Sequence, residues 1–195
     1  MRRIRTIVVL VTLLIAFAIS PAQAIPVQGP DGYFYEFVPE LVTWPTARAA
    51  ALASSYQGVP GHLATVASAA VDSFLATLAP IGWLGGTDQA AEGTWTWADG
   101  PLANQVFWIG GPGGSASGGV YTNWGLAQPD NGGIQNFLLR GPGGWDDFNG
   151  VQGYYVRHAA PEPGTFLLFG AALAGAGLAG RRQRRRAQAL GRTAP

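Results

Sequence analysis

Residues 83–100 read WLGGTDQAAEGTWTWADG. WLGG (83–86) and TWTWADG (94–100) have the look of short strands closed by a turn. Successive strand side chains point to opposite faces, so Trp95 and Trp97 fall on one face. Trp83, Trp95 and Trp97 are therefore expected to pack in the core or between strands.

Upstream, YFYEFV (33–38) reads as a strand and TWPTARAAALASSY (43–56) as a helix. Thr43 can cap that helix, Pro45 is tolerated in its first turn, and alanines favour its body. Gly58 and Pro60 end it, and HLATV (62–66) is a short extended piece. Ser68 caps a second helix in which Val71, Phe74, Leu75 and Leu78 follow the i, i+3, i+4, i+7 rule. Pro80 and Gly82 stop it. Downstream, residues 110–119 (GGPGGSASGG) read as a flexible loop, and NFLLR (136–140), GWDDF (144–148) and GYYVRH (153–158) as the last strands. Two early helices and a run of late strands make an α+β domain without internal repeats.

The two ends carry signals of a different kind. Arg2, Arg3 and Arg5 precede an apolar run over residues 7–19 and the small-residue site Ala22-Gln23-Ala24. That order is a secretory signal peptide spanning residues 1–24, to be removed by signal peptidase. At the other end, Pro161-Glu162-Pro163 leads into an apolar run at 164–180 and an arginine cluster at 181–186, followed by a polar tail at 187–195. As a helix the apolar run measures about 25 Å, slightly less than a bilayer core. It would enter the membrane with its arginines held in the cytoplasm.

Charge is segregated accordingly. Residues 25–163 contain Arg48, Arg140 and Arg157 against eleven acidic residues, a balance of −8, and every basic residue of the chain is arginine. An acidic exported domain suits cation binding and argues against a nucleic-acid partner. With no cysteine the domain has no disulfide framework, so packing alone must hold it.

Taken in order, these pieces resemble the C-type lectin-like domain over residues 25–160. Trp83 to Gly100 resembles its WIGL strand, acidic loop and G-x-W-x-W-x-D-G signature. GHLATV is similar to the segment joining its helices, NWGLAQPDNGG (123–133) to its long-loop motif, WDD to its W-N-D strand, and GYYVRH to its closing strand. The chain's end resembles the PEP-CTERM sorting signal, which implies processing by an exosortase, a membrane-anchored precursor, and delivery to the cell surface or extracellular matrix. Such proteins are associated with exopolysaccharide and biofilm.

By itself Gln128-Pro129-Asp130 is either a plain polar turn or a device that aims two oxygens at one point. The resemblance implies the second: a cis Pro129 turning Gln128 and Asp130 toward one Ca²⁺. It further implies that Gln135 stands where the family has Glu, and that Asp146 and Asp147 match the Asn and Asp of W-N-D. Ca²⁺ takes six to eight oxygens, so this donor set is chemically apt. Three carboxylates for one ion predict binding on the order of 10⁻⁴–10⁻³ M. Gln128, Asp130 and Asp146 would also meet the sugar, and Gln-Pro-Asp resembles the galactose-type site. An aromatic residue to stack on the sugar is missing after the triplet, leaving Trp124 or Trp145 for that part. Phe137 stands where a family cysteine is expected.

Enzymatic chemistry finds little support. His62 precedes an apolar strand and reads as structural, while His158 ends the last strand and reads as exposed. A zinc site would want more His or Cys. Asp146 and Asp147 alternate across a strand and make a poor acid/base pair. The glycine-rich stretch lacks the Gly-Lys-Ser/Thr of a phosphate loop. Two functions remain: a calcium-dependent glycan or exopolysaccharide binder, or a surface scaffold using the same fold for protein or matrix contacts. Asp72, on the second helix, is expected to lie apart from the calcium site.

Overall fold

The computed structural model describes residues 25–132 and 134–161. The leader at 1–24, Glu162 and Pro163 of the sorting motif, the apolar run at 164–180 and the arginine cluster lie outside the described residues. Among those described, no helix is long and apolar enough to cross a membrane.

The domain is α+β, as read. Strand β1 (Val27–Gln28) pairs antiparallel with β2 (Phe34–Val42), which pairs antiparallel with the closing strand β11 (Gln152–His158). Helix α1 (Trp44–Ala53) follows β2 and is shorter than the sequence suggests. Its last expected residues form β3 (Ser55–Tyr56), hairpinned onto β4 (Val59–Leu63). Gln57 and Gly58 sit at positive φ (51° and 81°). Two successive left-handed residues make the tight hairpin turn whose twist matches the strands, and this turn ends the helix early. Thr43 occupies the N-cap of α1 without a side-chain cap bond; its hydroxyl meets that of Thr46 instead, at 3.0 Å.

Helix α2 (Ala69–Leu78) is capped by Ser68, whose Oγ accepts from the Val71 amide at 3.3 Å. Val71 and Leu75 are buried, with Phe74 and Leu78 packed at the edge of the same cluster. Strand β5 (Gly82–Thr87) runs parallel to β11 and antiparallel to both β6 (Thr94–Trp97) and β9 (Phe137–Gly141). β9 then pairs with β10 (Gly144–Phe148).

Besides β1 and β3, two later strands escaped the sequence reading. β7 (Val106–Ile109) pairs with β6, and β8 (Ser115–Ala116) pairs with β7. The glycine-rich stretch is thus laid along the sheet as a short strand and a 3₁₀ turn, and is not a free loop. The Trp108 indole N–H helps fix its entry by donating to the Gly110 carbonyl at 2.9 Å.

The core has two parts. One gathers Trp95, Trp97, Phe107 and Trp145 against α2, with Trp97 stacked on Phe107 at 4.4 Å. The other gathers Trp44, Trp83, Leu63, Leu139 and Tyr154 beneath α1. Phe137, at the expected cysteine position, lies flat on Trp44 at 4.7 Å and edge-on to Trp83. Aromatic stacking fills the place where a covalent link was expected. His158 is fully buried, contrary to the exposed reading, because β2 and β4 flank the end of β11 on both sides.

Candidate functional site

The long loop is built from below by one carboxylate. Asp72, 5% exposed on α2, accepts the Trp145 indole N–H at 3.0 Å and the Asn123 amide at 2.7 Å. The Arg140 guanidinium lies 3.5 Å from the same carboxylate and donates to the Asp72 and Pro80 carbonyls. Asn123 starts the loop and Trp145 sits on β10, the partner of β9 into which the loop runs, so Asp72 ties the start of the loop to that hairpin. Asp72 thus supports the base of the loop through Asn123 and Trp145. Nothing in a lone Asp on a helix announces such a tie; only the fold brings its partners to it.

Above this base the chain bends sharply. Ala127, Asn131 and Ile134 all have positive φ, and the Gln128–Pro129 peptide bond is cis. Asp147, 1% exposed on β10, accepts the backbone amides of Asp130 at 3.0 Å and Asn131 at 2.6 Å with its two oxygens. Gln128 Oε1 also accepts from the Asp130 amide at 3.0 Å, and Asp130 Oδ1 accepts from the Gly132 amide. Charge-assisted bonds of this kind are short and strong, so Asp147 clamps the turn that presents Asp130.

Gln135 Oε1 is buried without a hydrogen-bond partner. It lies 3.2 Å from where a Cβ on Gly132 would sit, and Asp130 Oδ1 lies 3.2 Å from that same point. An amide oxygen and a carboxylate oxygen thus converge beside a glycine. Asp146 alternates to the other face of β10 and is half-buried. Its carboxyl is pushed above the ordinary range, first by burial and then by the charges of Asp147 and Asp130.

The three carboxylates do not form one cluster, however. Among the described residues no three His, Cys, Asp or Glu side chains gather as a metal-holding group. Strand alternation separates Asp146 from Asp147, and both Asp147 oxygens already serve the turn. A hard cation here would be held by Gln128, Asp130 and Gln135, with lone pairs left on Asp147 and with Asp146 adding charge nearby. An all-oxygen set with one orphaned buried oxygen fits Ca²⁺.

Beside the turn lies a cleft of about 430 Å³, with Pro129, Asp130, Asn131 and Asp147 on one wall and Glu92, Gly93 and Gly110 to Pro112 on the other. The glycine-rich stretch thus contributes a wall. Asp88, just behind it, is 2% exposed and donates nothing to the cleft: one oxygen accepts the Gly93 amide at 2.9 Å and the other has no partner. Burial raises its carboxyl to about 6. Trp145 is fully buried and offers no face to a sugar, while Trp124 is half-buried among Trp95, Trp108 and Trp145. All three arginines of the domain are engaged, Arg48 with Asp99, Arg140 with Asp72 and Arg157 with Asp31.

Comparison with known proteins agrees with this architecture. Residues 159–186 match the PEP-CTERM protein-sorting motif. Over 118 residues the chain is 33% identical to halomucin of Haloquadratum walsbyi, covering 60% of this chain and 1% of that protein. Over 103 residues it is 36% identical to C-type lectin domain family 4 member F of Mus musculus, covering 52% of this chain and 16% of that one. The chain therefore spans only a small part of these relatives. The C-type lectin CEL-I of Cucumaria echinata superposes with a TM-score of 0.51 at 24% identity, over 66% of this chain and 91% of the lectin. The fold is that of C-type lectin domains, and the sorting motif implies export through a membrane-anchored precursor.

Proposed function

We propose that the chain is an exported surface protein whose C-type lectin-like domain binds a glycan or exopolysaccharide through a weakly held Ca²⁺. The observation that carries this reading is the convergence of Asp130 Oδ1 with the orphaned Gln135 Oε1 beside Gly132. A buried acceptor without a donor costs free energy unless something satisfies it, and a cation does so while also relieving Asp146. A Ca²⁺ held by these oxygens would supply a positive centre that attracts sugar hydroxyl oxygens. The chain's part is to hold the oxygens: Asp147 fixes the turn, Asp72 braces the start of the loop against β10, and Gln128, Asp130 and Asp146 present the polar atoms. On this reading residues after Pro163 are an address read by an exosortase, and the domain acts at the cell surface or in the matrix. A galactose-type ligand accords with Gln128-Pro129-Asp130, and the domain performs binding without catalysis.

The test is a glycan array probed with the full-length chain in mild detergent, in millimolar Ca²⁺ and again in EDTA. Retention of neutral glycans in Ca²⁺, lost in EDTA and lost in Asp130→Ala, is the expected result. Absence of any Ca²⁺-dependent retention would favour the scaffold reading.

A further inference from the structure

Two structural demands meet at residues 131 and 132, directly after the turn that presents Asp130. Asn131 sits at φ 51°, a left-handed conformation that asparagine adopts more readily than most residues with a side chain. Gly132 answers a different need. A Cβ there would lie 3.2 Å from both Asp130 Oδ1 and Gln135 Oε1, so a bare backbone lets those oxygens approach. Together the two demands place an Asn-Gly pair in the loop, and that pair has a chemistry of its own. The nitrogen that follows the asparagine is unscreened by any side chain and can attack the carboxamide carbon.

The chain's asparagines are Asn104, Asn123, Asn131, Asn136 and Asn149, and only Asn131 and Asn149 precede glycine. Both are exposed, yet the fold treats their carboxamides differently. Asn149 is tied at both ends to the segment before β9: Nδ2 donates to the Ile134 carbonyl, and Oδ1 accepts from the Asn136 amide at 3.4 Å. Its carboxamide is thus turned toward a segment other than its own. Asn131 is tied at one end only. Its Oδ1 accepts from the Gln135 amide at 2.8 Å, and among the described residues its Nδ2 has no partner. The Gln135 N–H therefore meets the oxygen that becomes negative when Cγ is attacked, which favours the attack. The group that departs is Nδ2, the free atom. The Gly132 amide donates to Asp130 Oδ1 at 3.0 Å. Both bonds face solvent, where water competes for each partner, so the turn opens and frees the nitrogen to swing onto Cγ.

We propose that Asn131-Gly132 is a self-modifying site, at which the folded domain converts Asn131 to aspartate and isoaspartate while Asn149 stays an amide. Hydroxide takes the Gly132 N–H proton, the nitrogen bonds to Asn131 Cγ, and the Cγ–Nδ2 bond breaks. Nδ2 leaves as ammonia with a proton from water, and a five-membered imide remains. Water then opens the imide at one carbonyl or the other. The sum is one water consumed and one ammonia released, with no oxidant or cofactor. Each product alters the wall of the first cleft, to which Asn131 contributes. Aspartate adds a carboxylate next to Asp130. Isoaspartate adds a methylene to the main chain between Gly132 and the residue 131 amide, which Asp147 holds at 2.6 Å. The charge and shape of the loop therefore change as the protein ages, whether or not a cation occupies it.

The experiment incubates the full-length chain in mild detergent and EDTA, in mildly alkaline water enriched in oxygen-18, and maps its peptides over weeks. Tryptic cleavage after Arg140 puts Asn131 and Asn149 on different peptides, and fragmentation assigns the labelled residue. A second sample in guanidinium chloride reports the rates without the fold. There the two sites should convert at similar rates. In the native chain Asn131 should still convert, at least fivefold faster than Asn149, and isoaspartyl methyltransferase should modify the residue 131 peptide. Gly132→Ala, read in guanidinium where folding plays no part, should slow conversion of Asn131 at least fivefold and so identify the attacking nitrogen. Asn131 left intact in the native chain while the denatured chain converts it overturns the proposal. So does a ratio of the two rates that is the same with and without the fold, or a rate indifferent to Gly132→Ala.

Discussion

At the scale of single residues, three nearly inaccessible carboxylates do different work: Asp72 braces the start of the long loop, Asp147 clamps its turn, and Asp88 holds the Gly93 amide. Asp88 is the one whose charge is badly accommodated, since only one of its oxygens has a donor. With its carboxyl raised to about 6 from an ordinary 3.8, the folded state binds more protons than the unfolded one between those values. Asp88 therefore contributes stability when protonated, and that contribution is lost as pH rises from about 4 to about 6. His62 acts oppositely: burial lowers its imidazole, so its effect on stability is unfavourable as pH falls. The useful readout is thus a difference. In EDTA, Asp88→Asn should gain melting temperature relative to wild type at pH 7 and gain none at pH 4. Equal differences at the two pH values would show Asp88 to be well solvated. None of these roles was legible in the sequence. An Asp in a loop or on a helix looks solvated until the fold shows what surrounds it. The residues of Gln128-Pro129-Asp130 and Asp146-Asp147 were legible, but the clamp that turns Asp147 inward was not.

Among the elements, the strand with two indoles was read correctly, because period-two alternation is local and both faces declare themselves. Trp95 and Trp97 are buried, with Thr94 and Thr96 outward. The helix α2 was legible for the same reason. What failed was partnership. Ser55 and Tyr56 carry helix-compatible neighbours, yet a two-residue turn at Gln57-Gly58 folds them back onto β4. β8 is two residues in a glycine-rich stretch, and only β7 gives it a place. If the indole of Trp97, 3% exposed and stacked on Phe107, is a core element as described, Trp97→Ala should cost roughly 3–5 kcal/mol. Chemical denaturation would read this directly. An unchanged midpoint would mean that β6 does not face the core.

Across the whole molecule, the account joins an export and sorting signal to an acidic domain that packs without disulfides and has its three arginines already paired. On the proposed reading, the oxygens of Gln128, Asp130 and Gln135 would be those that a cation meets. The most direct test is a Ca²⁺ titration of thermal stability on the full-length chain in mild detergent. A ligand at about ten times its dissociation constant adds about 1.4 kcal/mol, which for a domain of this size is a rise of roughly 3–6 °C. Wild type should show that rise in millimolar Ca²⁺ and lose it in EDTA, Asp130→Ala should show none, and Gln135→Glu should reach it at lower Ca²⁺. A melting temperature indifferent to Ca²⁺ in both wild type and Gln135→Glu would contradict the account and leave Gln128-Pro129-Asp130 as a turn alone.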